Sequence, residues 1–182
     1  MEQSKDNNLK VMNTAKLFSE EILFPLMEQY QSYQRQSDFG SYTLEDSLGV
    51  SEEVRDILRY NGLKAMCDVC LNLAMAIKST VYLKKNQEEI EQINKTIEYL
   101  GKIKEIFYNK RDAFFISTYN GQTLIEKVNR NYFEKVKEMI QVCYVNIEML
   151  MTRNKLLFAD GSDEFKTDEE IKEDILKRYV EG

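Results

Sequence analysis

"KRDAFFISTYNG", residues 110 to 121, joins an Arg–Asp dipeptide to a block of large apolar side chains and closes on Asn-Gly. Its reading decides whether the middle of the chain is one helix running into the next or something else. Phe107, Arg111 and Phe114 fall four and three residues apart, the spacing of a single helical stripe. Asn-Gly accepts the left-handed conformation in which helices commonly end. The stretch therefore reads as a helix end, with Arg111 a structural arginine between two inward aromatics. Its expected role is to tie that end to a carboxylate or to the carbonyls closing a neighbouring helix, and to catalyse nothing.

Working outward, seven glycines and one proline in 182 residues leave few helix breakers. A first helix is predicted over about Asn8 to Gln36, with Met12, Ala15, Phe18, Ile22, Leu26, Tyr30 and Tyr33 inward and a kink at Pro25. "SDFGSYTLEDSLGV" reads as a loop. Ser51, followed by Glu52 and Glu53, is a good N-cap for a second helix, apolar nearly all round and crossed by a narrow polar line of Lys64, Asp68 and Asn72. "YNG" at 60–62 is expected to break or bend it. A third helix spans about Asn86 to Thr118, on Ile90, Ile93, Ile97, Leu100, Ile103, Phe107 and Phe114. A fourth spans about Gln122 to Phe158, on Ile125, Val128, Tyr132, Val136, Met139, Cys143, Ile147 and Leu150. "TDEE" at 167–170 is a capping-box signature that opens a short final helix. The expected class is all-α: an up-and-down four-helix bundle over 1–158, then an acidic loop and a short amphipathic C-terminal helix over 159–182 that packs on the bundle or on a partner.

Composition agrees with one globular domain: 43% hydrophobic and 31% charged residues. The longest nearly apolar run, "AMCDVCLNLAMAI", is short and interrupted for a bilayer span, and "MEQSKDNNLK" lacks the pattern of a signal peptide. Three cysteines in helical segments do not suggest a disulfide framework, so the cytoplasm is the expected location. The net charge of −6 is uneven: residues 78–157 carry 14 basic and 10 acidic side chains and are the basic part between acidic ends.

The chain has no histidine. That removes Ser-His-Asp and Cys-His catalysis and the Glu-x-x-His pairs of helical di-iron sites. Cys67-x-x-Cys70 lies within an apolar helix and reads as core packing. "DFG" at 38–40 stands without the other kinase sequences, and the acidic run at 160–171 lacks the glycine and final glutamate of a calcium loop. No catalytic, cofactor-binding or metal-binding set is assigned.

Arg111-Asp112 followed by Ile116 resembles the Arg-polar-x-x-x-His motif of HEPN-family ribonucleases, which are also helical bundles, with Ile in the histidine place. Arg153-Asn154 through Phe158 resembles it again, with Phe there. Each resemblance covers six residues and lacks the proton-transferring one, so it implies no nuclease activity, and Arg-Asp pairs are common in helical proteins. On the fourth helix Val142, Val145, Met149 and Met151 widen the apolar arc and are the candidate partner-binding strip. The leading expectation is a non-enzymatic regulator or adaptor that binds another protein, as a homodimer and without metal or cofactor. The alternative is a nucleic-acid-associated bundle, a degenerate HEPN-like relative, making contact through Lys102, Lys104, Lys110 and Arg111.

Overall fold

The structure is a computed structural model that describes residues 17–40, 49, 51–154 and 156. The predicted C-terminal helix, the beginning of the first helix and most of the loop before Ser51 lie outside these residues. The described chain is mostly helical, with one small antiparallel sheet inserted between its last two helices.

The first helical segment opens with a π-helical turn, Ser19–Leu23, and continues as α1, Phe24–Phe39. The disturbance expected from Pro25 takes that form: the Phe24 N–H reaches back five residues to the Ser19 carbonyl, and Pro25 falls in the first turn of α1, where a missing donor costs little. The wider turn rotates the inward stripe. Ile22, expected inside, is 45% exposed; Tyr30 is buried as expected, and Ser19, Leu23 and Met27 are buried with it. Gly40, at a φ of 77°, closes α1 in the left-handed conformation.

α2, Glu52–Leu83, starts on the predicted Ser51 cap, whose hydroxyl accepts from the Val54 N–H. It runs without interruption through "YNG", correcting the expected break. Gly62 is there because α1 passes too close for a side chain: a Cβ would stand 2.8 Å from the Ser37 nitrogen and 3.0 Å from the Tyr33 carbonyl oxygen. The Gln36 side-chain amide donates to the Leu58 carbonyl across the same contact. By length and composition α2 could cross a membrane; in this fold it packs on α1 and on the two described α-helices that follow it, with Leu63, Met66, Cys70, Leu73, Ala74 and Ile77 fully buried.

Lys84, Lys85 and Asn86 turn the chain into α3, Gln87–Asn109, which Asn86 caps by accepting from the Glu88 and Glu89 N–H groups. Its stripe is as read: Ile93, Leu100, Ile103 and Phe107 are buried. α3 returns antiparallel to α2, as the Tyr82–Asn94, Cys67–Leu100 and Tyr60–Phe107 hydrogen bonds mark along its length.

The predicted continuation to Thr118 is wrong. α3 stops at Asn109, a 3-10 turn covers Arg111–Phe114, and the chain then forms a hairpin of β1, Phe115–Asn120, and β2, Thr123–Val128. α4 begins only at Arg130 and ends at Arg153. Ile125 and Val128, assigned to a helical stripe, sit on opposite faces of β2. α4 packs on α1 through the stacked rings of Tyr30 and Tyr144, 3.6 Å between centroids, and through the Lys137–Asp38 ion pair.

Candidate interaction surface

The hairpin is held at its base by aromatic side chains. Tyr60 of α2 lies 5.7, 5.3 and 5.2 Å from the rings of Phe107, Phe114 and Phe115, and its hydroxyl donates to the Phe107 carbonyl. Phe107 stacks on Phe114, and Tyr132 of α4 meets Phe114 edge-on. Burial pushes the Tyr60 phenol up, against an opposing pull from Arg111. Arg111 itself is exposed, its guanidinium 4.6 Å above the Phe115 ring and 5.5 Å from Tyr60. The tie expected to a carboxylate or to helix-end carbonyls is thus made to aromatic faces.

A second anchor is ionic. Asp56, buried in α2, accepts at one oxygen from Arg59 at 2.7 Å and at the other from the backbone N–H of Val128 at 3.0 Å. Arg59 also reaches Glu52. One carboxylate thereby fixes the end of β2 to α2 across 72 residues of sequence.

From these anchors the hairpin extends outward. Its register pairs Phe115 with Val128, Ser117 with Glu126 and Tyr119 with Leu124 on the inner face, and Ile116 with Lys127 and Thr118 with Ile125 on the outer one. Phe115 and Val128 are buried, whereas Tyr119 is 77% exposed and Leu124 and Ile116 about half exposed. Gly121, at a φ of 68°, opens the two-residue turn, as a type II′ turn requires.

The hydrogen-bond phase follows from one bond beyond the ladder. The Asn129 N–H donates to the Phe114 carbonyl, so Phe115–Val128 is a non-hydrogen-bonded pair and Ile116–Lys127 a hydrogen-bonded one. The amides and carbonyls of Ile116, Thr118 and Asn120 therefore face β2, and those of Phe115, Ser117 and Tyr119 face away from it. On β2 the outward N–H of Val128 is taken by Asp56, and this strand lies against α2; β1 packs chiefly on β2 and the 3-10 turn. The Phe115 N–H bonds the Asp112 carbonyl. Among the described residues β1 is thus the open edge of the sheet, and its six residues include no charge and no proline.

The residues picked from sequence scatter. Met151 and Met149 are buried in the interior, Val145 is half-buried and Val142 is 55% exposed, so the four do not form one exposed strip. Lys102 pairs with Glu98 at 3.4 Å and Lys104 with Asp68 at 3.6 Å, while Lys110 is exposed at the end of α3. The Arg111–Ile116 stretch that resembles the ribonuclease motif lies on the 3-10 turn and β1. Cys67, Cys70 and Cys143 are free, buried thiols, as core packing implied. Burial pushes Cys67 up to about 12, Cys143 up to about 11, and Cys70 well up. Among the described residues no three His, Cys, Asp or Glu side chains are placed to hold a metal ion.

The hairpin was missed because the apolar spacing was read at the helical period. Ile116, Thr118, Thr123, Ile125 and Val128 are β-branched, and they flank Asn-Gly, the strongest short hairpin signal. No protein-family model, curated protein or solved structure matches the chain.

Proposed function

We propose that the protein is a non-enzymatic binding protein that holds a protein partner along the open edge of β1. The helical part, read as an up-and-down four-helix bundle, serves as the rigid support. What carries the reading is the edge itself: outward Ser117 and Tyr119 backbone groups on an uncharged strand, flanked by exposed Ile116, Tyr119 and Leu124. Soluble proteins blunt exposed strand edges with Lys, Pro or bulges, and β1 carries neither Lys nor Pro. Main-chain hydrogen bonds from an added strand supply affinity, and the neighbouring side chains supply selectivity.

Ser117→Pro tests this. It deletes an outward N–H that the β1–β2 ladder does not use, and proline is tolerated on edge strands. Affinity capture from the native host should recover partners with the parent and with a Leu83→Ser control, whose site is 81% exposed and lies at the end of α2. Those partners should be lost with Ser117→Pro. Equal recovery with all three proteins, each folded by circular dichroism, contradicts the reading.

A further inference from the structure

We infer that the partner of the β1 edge is a second copy of this chain, joined β1 to β1 about a two-fold axis at Ser117. The inference rests on the binding reading above and names its partner.

The first argument is closure. Among the described residues β1 packs chiefly on β2 and the 3-10 turn, whereas β2 lies against α2 and its Val128 N–H is taken by Asp56. Pairing β1 to β1 uses the same edge on both copies, the isologous arrangement that closes at two copies without forming a filament.

The second is register. Antiparallel pairing about a two-fold axis matches residues of equal parity, which sets Ser117 opposite Ser117, Phe115 opposite Tyr119 and Ile116 opposite Thr118. Phe115, Ser117 and Tyr119 are the residues whose backbone groups point outward. Each Ser117 N–H then meets the other Ser117 carbonyl, and each Tyr119 N–H meets a Phe115 carbonyl. The Phe115 N–H is already bonded to Asp112, so each Phe115–Tyr119 pair makes one of its two bonds. A small residue occupies the axis, and the strongly exposed Tyr119 stands opposite the Phe115 position of the other copy.

The third is charge. Like pairing through β2 would bring Glu126 against Glu126 in the equivalent register, whereas β1 brings no like charges together. Nothing along β1 selects a charged peptide. Its own sequence, β-branched and aromatic at alternating positions, is the complement it carries.

Two strand edges bury less than the roughly 1,200 Å² of a stable interface, so the dimer is concentration-dependent. Sedimentation over about 5 to 500 µM should show monomer passing to dimer by mass action. Two double variants then test the register on the exposed outer face. Ile116→Glu with Thr118→Glu sets glutamates opposite glutamates in the dimer, and Ile116→Lys with Thr118→Lys sets lysines opposite lysines. Each alone should weaken association at least tenfold, and an equimolar mixture should restore it, provided both keep the parent's circular dichroism. A parent that stays monomeric throughout overturns the self-pairing. So does a dimer that both variants leave unchanged, or a mixture that stays monomeric. A monomeric parent whose host partners still depend on Ser117 would sink this inference alone; loss of that dependence as well would sink the binding reading with it.

Discussion

Cys67, Cys70 and Cys143 make the interior sensitive to alkali. Their thiols stay protonated in the folded chain well above the ordinary value of 9.0, and in the unfolded chain they ionise near it. Above pH 9 the unfolded state therefore binds fewer protons than the folded one, and stability falls as pH rises. By pH 10 the loss is on the order of 1 kcal/mol for each thiol that burial keeps protonated there, a noticeable share of a domain's stability. The raised Tyr60 acts in the same direction above pH 10. Lys137, whose ammonium burial holds below its usual value, acts oppositely, regaining stability between its lowered folded value and 10.5, but it is one group. Urea midpoints should drop steeply from pH 8.5 to 10, and the drop should be shallower in Cys70→Ala. A flat profile would show that the thiols are solvated. At the same scale Leu73→Asp places an unpaired carboxylate at a fully buried position and should unfold the chain, at a cost of several kcal/mol. A variant melting within a few degrees of the parent would remove α2 from the centre of the core. Arg111→Ala removes an exposed cation from two rings and should cost only about 0.5–1 kcal/mol, measured as a change in urea midpoint. A loss above about 2 kcal/mol would point to the buried ionic role that the sequence suggested.

Glycines separate the elements that touch closely from those that do not. Gly62→Ala drives a Cβ into the α1 backbone and should destabilise by about 1–3 kcal/mol. Gly101→Ala, in α3 with nothing within 4 Å, should stabilise by about 0.5–1 kcal/mol through helix propensity. Thermal melts of opposite sign are the expected outcome; two shifts of the same sign would misplace the α1–α2 contact. The pair also shows what a sequence yields. The Ser51 cap and the inward faces of α2 and α3 were legible because period and capping are local signals. Gly62 was read as a breaker because its reason is the backbone of another element. Phe114 was rightly placed inside but on the wrong element, since a residue three positions along suits both a helical stripe and the foot of a strand. The Asp56–Val128 bond that seats the hairpin joins residues too distant for any local pattern.

At the scale of the whole molecule, a helical support built from long apolar faces carries a hairpin whose outer edge has no strand partner within the described chain. Much of the support could be read from spacing. The binding edge could not, because it consists of backbone groups whose direction depends on register and on one bond, from Asn129 to Phe114. That phase makes a residue-resolved statement about amide exchange. Exchange followed by nuclear magnetic resonance, on the dilute protein and again at high concentration, tests it directly. In the dilute protein the amides of Ile116 and Thr118, bonded to β2, should exchange slowly, and those of Ser117 and Tyr119 should exchange quickly. At high concentration Ser117 and Tyr119 should gain protection while Ile116 and Thr118 change little. Protection of Ser117 and Tyr119 already present at dilution would mean that the edge is closed within the chain and would contradict an edge free to bind.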